Sequence, residues 1–172
     1  NVEKINVENG VVKSVVSNGI TIESDVVLSG ADYHHTETLL DEKYRGYSEK
    51  YWDSKIFAPS SLLFYVAFDK KIENVSHHTL FFDTDFDVHA KDIYDNPKWP
   101  DKPLFYASFP SKTDNFVAPE GKEAGIFLIP IAPGIKDSAM IRELYFKNII
   151  QRFEELTNQT VSKNIIFKES FC

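Results

Sequence analysis

The sequence predicts an α+β fold, in which a mixed, largely antiparallel sheet carries helices on one face and follows a β-meander. Short β-rich runs separated by Asn-Gly pairs occupy residues 1–30. After residue 57, strand-sized apolar runs are joined by polar links, and one long segment has helical periodicity. Strands and helices that do not alternate regularly are typical of the α+β class.

The predicted β-meander begins the chain. The pairs Asn9-Gly10 and Asn18-Gly19 indicate two-residue hairpin turns, because both residue types tolerate positive φ. The three strands that these turns connect are Val2 to Val7, Val11 to Val16 and Ile20 to Ile22. The run Val26-Val27-Leu28 is apolar on both faces, so we expect a short buried strand there.

A helix and a connector follow the meander. Asp32 is placed to cap a helix from Tyr33 to Leu40, since its carboxylate can accept N–H groups of the first turn. Residues 41–56 are polar with interspersed aromatic side chains, and they predict a connector with room for one short helix. Pro59 disfavours helix at Ala58 and marks a boundary.

The rest of the chain predicts a sheet and two helices. Leu62 to Phe68 is apolar on both faces, which indicates a central strand. Further strands are expected at His78 to Phe82, Leu104 to Phe109, Ile126 to Ala132 and from Ile165 onward. Phe86 to Tyr94 has near-helical spacing. A long helix capped by Asp137 or Ser138 should pack on the sheet through a stripe formed by Ile141, Tyr145, Ile149, Phe153 and Leu156.

Composition excludes several function classes. The chain has 172 residues and a net charge of −7, which argues against nucleic acid because phosphate binding needs a basic surface. Cys172 is the single cysteine, so neither an intrachain disulfide nor a cysteine-based zinc cluster is possible, and a reducing compartment fits. No window approaches the roughly 20 apolar residues of a membrane helix.

We predict no metal site. Adjacent residues of a strand point to opposite faces, and no further ligand motif supports a metal site at the pairs His34-His35 and His77-His78. Asp83, Asp85 and Asp87 alternate as in a calcium loop, but Val88 stands where such a loop needs glycine. We therefore expect helix-capping and solvent-exposed carboxylates. No catalytic residue can be assigned from the sequence.

Six segments, taken in order, carry a resemblance to a known family. They are Ser29 to Glu37, Ala58 to Tyr65, His77 to Phe82, Pro110 to Asp114, Ala118 to Gly121 and Phe167 to Phe171. Together they resemble the phytoene desaturase (carotenoid desaturase, or phytoene dehydrogenase) family of FAD-dependent oxidoreductases. The resemblance covers essentially the whole chain.

The resemblance implies that this chain is a middle fragment of a longer flavoprotein. Residues 1–40 would be a partial segment of the FAD domain, and residues 41–172 the substrate-binding domain. The parent would bind FAD, with Val2, Gly30 and Ala31 near the cofactor. The sequence contains no GxGxxG loop to cradle a pyrophosphate, so no FAD is expected on the isolated fragment, which we expect to be inactive.

The resemblance further implies an apolar polyene substrate. Hydride removal from a hydrocarbon is cofactor chemistry, and the protein supplies apolar walls that orient the substrate and exclude water. The predicted wall consists of Phe64, Tyr65, Phe81, Phe82, Phe105 and Tyr106. The alternative is that half or more of these side chains are buried in the hydrophobic core. The other expected partner is the rest of the parent chain. We expect the parent protein to be cytoplasmic and to act as a peripheral protein at the inner face of the membrane.

Two alternatives remain open at this point. One is a stand-alone lipid-binding or interaction module without redox chemistry. The other, within the family, is a saturase or isomerase of another isoprenoid. A GxGxxG motif upstream of this chain in the complete gene would favour the flavoprotein.

Overall fold

The computed structural model describes residues 1–55 and 59–172, and the chain divides into two compact units between residues 56 and 57. The α+β class is confirmed, since antiparallel sheets and helices occur in both units. The boundary expected at Ala58-Pro59 falls partly outside the described residues. Residues 41–55 lie with the first unit, and the assignment of residues 41–172 to a substrate-binding domain stays a prediction.

The first unit opens with the predicted meander. Its antiparallel strands are β1 (Val2–Glu8), β2 (Val11–Ser17) and β3 (Ile20–Glu23), paired in that order. Both Asn-Gly turns are confirmed, with φ of 50° and 80° at the first pair and 51° and 73° at the second. These left-handed values match the twist of a tight hairpin.

The strand expected at Val26 to Leu28 is wrong. These residues are not in a strand, and Val26 and Leu28 are 83% and 97% exposed. An apolar run becomes a buried strand only where neighbouring strands accept its backbone hydrogen bonds. No strand of the described residues pairs with this run, because β3 ends at Glu23 and β2 is already paired on both edges.

Two short helices complete the first unit. The Asp32 carboxylate caps α1 (Tyr33–Thr38) by accepting a hydrogen bond from the His35 amide at 3.0 Å, as predicted. The connector contains a single 3₁₀ turn, Glu42–Tyr44, and α2 (Glu49–Asp53). Buried Glu37 holds this segment together, since it accepts hydrogen bonds from the Gly46 amide at 2.6 Å and the Trp52 indole at 3.0 Å.

The second unit is built on a five-stranded antiparallel sheet. Its strands are β4 (Ser60–Phe68), β5 (His78–Phe81), β6 (Phe105–Ser108), β7 (Glu123–Ile131) and β8 (Ile165–Phe171). They lie in the order β5-β6-β7-β4-β8. Because β4 pairs with both β7 and β8, the prediction of a central strand at residues 62–68 is confirmed.

One face of this sheet forms the main core. Every second residue of β4 and β7 is buried there, and the helix α4 (Ala139–Thr157) covers them. Phe153 of α4 is fully buried, with its ring centroid 5.5 Å from Phe81, 5.9 Å from Phe109 and 5.3 Å from Phe127. The predicted helix α3 (Phe86–Tyr94) is also present.

The predicted stripe of α4 is correct in its centre and wrong at its end. Ser138 caps the helix, and Ile149 and Phe153 are buried as expected, but Leu156 is 49% exposed. Phe146 and Ile150 are buried instead. Steps of four residues turn about 40° around a helix of 3.6 residues per turn, so a stripe drawn from such steps drifts away from the buried face.

Two of the three aspartates that resembled a calcium loop have structural roles. Asp85 caps α3 by accepting a hydrogen bond from the Asp87 amide at 2.8 Å. Asp83 pairs with the guanidinium of buried Arg152, which also donates to the Pro103 carbonyl at 2.6 Å. This pair joins α4 to the segment after β5. The expectation of capping carboxylates is confirmed for Asp85.

Replacing Phe153 tests the core. Phe153→Ala should lower the free energy of unfolding by about 3–5 kcal/mol, because it leaves a cavity among the Phe81, Phe109 and Phe127 rings. Leu156→Ala on the same helix is the control and should cost less than about 1 kcal/mol. Urea unfolding of both variants measures the difference. Equal losses would contradict this packing.

Glu154 provides a pH-dependent test. Burial opposes its ionisation, but the backbone N–H groups of Ser162 at 2.7 Å and Val161 at 2.6 Å outweigh burial and hold the pKa of Glu154 below its usual value. A lowered pKa stabilises the fold above the ordinary value of about 4.3, and the contribution disappears as the pH falls through the folded pKa.

We therefore expect Glu154→Gln to lower the urea midpoint at pH 7, with the difference shrinking towards pH 3. Glu155→Gln is the matched control, since the Glu155 carboxylate is exposed and accepts a hydrogen bond from the Gln151 side chain of the same helix. A Glu154→Gln deficit that persists unchanged at pH 3 would rule out the carboxylate as its cause.

Candidate functional site

A groove in the first unit brings together the three residues predicted near a cofactor. Val2, Gly30 and Ala31 all line one cavity of about 670 Å³. The rest of its wall is mostly apolar: Ile5, Val15, Val27, Leu28 and Leu39, with Asn1, Ser29 and His35. The fold therefore places residues nearly thirty positions apart around one space. Their role in binding a cofactor stays a prediction.

Gly30 leaves room in this groove. A Cβ built at Gly30 meets no heavy atom within 4 Å, so packing inside the unit does not require glycine there. The turn beside it is held by the Ser29 hydroxyl, which lies 2.6 Å from the Thr36 hydroxyl and accepts a hydrogen bond from the Ala31 amide at 3.3 Å. The groove is therefore open beside Gly30.

The second unit carries an apolar surface on the sheet face opposite α4, which we call the open face. Directly paired residues of antiparallel strands project from the same face, so the strand register defines rows across the sheet. One row crosses all five strands and consists of Leu80, Tyr106, Leu128, Leu63 and Phe171. The next row consists of His78, Ser108, Ile126, Tyr65 and Glu169. The open face is thus apolar at its centre and polar at two edges.

The six residues predicted as a substrate wall divide between the two faces. Phe64, Phe81 and Phe105 are buried in the core, where Phe81 stacks on Phe105 at 4.5 Å and Phe64 lies 5.0 Å from Phe146. Each is followed by one of the other three, and successive side chains of a strand point to opposite faces.

Tyr65 and Tyr106 therefore project from the open face, and exposed Phe82 directly follows β5 on that side. Half of the predicted wall belongs to the core, and the other half is accessible to a ligand. The role of these three residues in substrate binding stays a prediction.

A histidine–tyrosine pair lies at one edge of the open face. His78 Nδ1 is 2.5 Å from the Tyr106 hydroxyl, and the two rings are nearly parallel. His78 also stacks on His77 at 4.1 Å, and His77 Nδ1 is 2.7 Å from the Thr113 hydroxyl. The sequence did not reveal this pair, because its two members lie 28 positions apart and meet only through the β5–β6 register.

Other buried polar groups are occupied by protein partners. The buried carboxylate of Glu123 accepts hydrogen bonds from the Ser111 hydroxyl and the Ile72 amide. No buried side-chain nitrogen or oxygen of the described residues lacks a hydrogen-bond partner. Within residues 1–55 and 59–172, no three His, Cys, Asp or Glu side chains are grouped to hold a metal ion.

Each helix in the described part of the chain is too short or too polar to cross a bilayer.

Comparisons with known proteins identify relatives of the chain. No protein-family model matches it. It is 40% identical over 155 residues to a carotenoid 3,4-desaturase from Haloarcula japonica. The alignment covers 90% of this chain and 31% of that protein. It is 28% identical over 151 residues to a 4,4'-diapophytoene desaturase (4,4'-diapolycopene-forming) from Methylomonas sp, covering 86% and 29%.

A solved structure shares the fold. An oxidoreductase from Methanosarcina mazei matches with a TM-score of 0.58 at 15% sequence identity, over 99% of this chain and 36% of that one. The chain thus shares its fold with part of that structure. Over the residues that it spans, the chain belongs to the family of carotenoid and phytoene desaturases, which confirms the resemblance. It spans about a third of the length of these curated relatives.

Proposed function

We propose that this chain supplies the polyene-binding wall of an FAD-dependent carotenoid desaturase, and that the open face is this wall. The observation that carries the proposal is the row of Leu80, Tyr106, Leu128, Leu63 and Phe171 across all five strands. At a strand spacing of about 4.8 Å, it forms an apolar strip about 19 Å across.

The chemistry of a polyene fits this strip. A hydrocarbon offers no hydrogen bonds, so its binding free energy comes from apolar area removed from water, at about 25 cal/mol per Å². The third row of the open face contains the small residues Ala124 and Ala67, and Ala67 pairs with Phe167 on its other side. Small and aromatic side chains together give a surface on which a flat conjugated chain can lie.

The redox chemistry would come from the cofactor. FAD, when bound, accepts the hydride that a desaturation removes. Within this chain the groove beside Val2, Gly30 and Ala31 fits an apolar or planar part of such a cofactor, because it is open and mostly apolar. The role of these residues would be to hold and orient the cofactor.

The substrate also suggests where the complete protein acts. A polyene hydrocarbon dissolves in lipid, so we place the protein as a peripheral protein at the inner face of the cytoplasmic membrane. A lipid-binding module without redox chemistry would use the same open face. Flavin content and conversion of the polyene separate the two functions, and a saturase or isomerase would be recognised by its product.

A charge on the open face tests the polyene wall. In the complete protein with FAD, Leu80→Glu should weaken polyene binding at least tenfold, because burying the ligand against a carboxylate forfeits about 1.5–3 kcal/mol of apolar contact. Leu80 is 62% exposed and lies on an edge strand, so the fold should tolerate the change. Conversion of a polyene in liposomes and its retention after gel filtration are the measurements.

Leu144→Glu is the matched control for this test. Leu144 is a leucine of nearly equal exposure, 65%, on α4 and away from the open face. Its substitution should leave polyene binding unchanged. If both variants bind and convert the polyene equally, the open face is not the wall.

A larger side chain at Gly30 tests the groove. Gly30→Leu should leave the unfolding midpoint nearly unchanged, since nothing lies within 4 Å of its added Cβ, but should reduce the FAD retained by the complete protein. The flavin absorbance per protein after desalting is the measurement. Thr21→Leu, on exposed β3 of the same unit, is the control. Full retention of FAD by Gly30→Leu would disprove the cofactor role of the groove.

A further inference from the structure

The open face has one polar edge that a pure hydrocarbon would not need. Tyr106 lies in the apolar row between Leu80 and Leu128, yet its hydroxyl is hydrogen-bonded to His78 of the neighbouring row. Every contact of a hydrocarbon with this row could be made by a phenylalanine. The phenol and the imidazole therefore call for a separate explanation.

The pair is held in place from both sides. His78 stacks on His77 with an interplanar angle of 24°, and the His77 ring is hydrogen-bonded to the Thr113 hydroxyl. The Tyr106 ring is half-buried on β6, an inner strand of the sheet. A polar group whose orientation is fixed before a ligand arrives loses little entropy on binding.

The hydrogen-bonding capacity of the pair is not exhausted by its internal bond. If the Tyr106 hydroxyl donates to His78 Nδ1, the phenol oxygen still accepts, and Nε2 of the neutral imidazole carries a proton that it can donate. If Nδ1 donates instead, the phenol proton is available to a ligand. In either arrangement the pair offers both a donor and an acceptor beside the apolar row, near the β5 edge of the sheet.

We propose that His78 and Tyr106 form a polar subsite for the oxygen of a hydroxyl or carbonyl group at one end of the substrate. The inference rests on the proposed function, and it narrows the substrate class to polyenes with an oxygenated end group. The subsite also sets the direction of the substrate, with its oxygen at the β5–β6 edge. Tyr106 is then a specificity-determining residue.

A pair of matched substrates tests this subsite in the complete protein with FAD. The probes are two acyclic polyenes with the same carbon skeleton and double bonds, one a hydrocarbon and the other carrying a terminal hydroxyl group. Tyr106→Phe removes only the phenol oxygen. We expect it to lower kcat/KM for the hydroxylated polyene about three- to tenfold more than kcat/KM for the hydrocarbon, the range for one lost hydrogen bond.

Two further variants sharpen the measurement. His78→Phe should reduce the preference for the hydroxylated polyene in the same direction, since it removes the other half of the pair. Tyr94→Phe removes a phenol oxygen from exposed α3, outside the open face, and should leave both values unchanged.

The outcomes separate this inference from the proposed function. A selective loss for the hydroxylated polyene supports the subsite. If Tyr106→Phe changes both substrates by the same factor, or neither, the subsite is disproved while the desaturase function stands. If the unmodified protein converts neither polyene, the proposed function itself fails, and the subsite fails with it.

Discussion

The alternation of side chains along β4 and β7 is the constraint on which the second unit depends. Every residue of these two paired strands is assigned to one of two environments, the core beneath α4 or the open face. Because both strands are apolar at most positions, hydrophobicity alone does not separate the two faces. The separation comes from α4, which covers only one of them and places Phe153 at the centre of the covered side.

The sequence was sufficient for most of the elements and insufficient for the division of the site. Hairpin turns, helix caps and the α3 span were predictable because each depends on a few neighbouring residues. The Val26 to Leu28 strand failed because its apolar character indicated burial without specifying a partner. Phe64 and Tyr65 could not be assigned to different roles, since both are aromatic residues in one apolar run and only the register with β7 separates them.

The candidate groove is formed by residues that no sequence pattern connects. Val2, Gly30 and Ala31 were predicted to lie near a cofactor from the family resemblance, and no local pattern connects a strand residue with a turn nearly thirty positions away. The fold joins them because α1 returns the chain to β1, where the Ile5 amide donates a hydrogen bond to the Leu39 carbonyl at 2.8 Å. A contact of this kind depends on tertiary structure and is invisible to reasoning from composition or periodicity. The family relationship was therefore more informative here than propensity.

The position of β4 between β7 and β8 has a consequence for the synthesis of the protein. β4 is the first strand of its sheet to leave the ribosome, but its two neighbours are β7 and β8, and Phe68 of β4 pairs with Ile165. At about 5–20 residues per second, translation needs roughly 5–20 s to cover the hundred or so residues between them. Until β7 emerges, the nine-residue strand β4 has both hydrogen-bonding edges unpaired, and one edge then stays unpaired until β8 emerges. The nascent chain is thus most exposed to aggregation before β7 emerges, and a chaperone that shields β4 would have its greatest effect in that window.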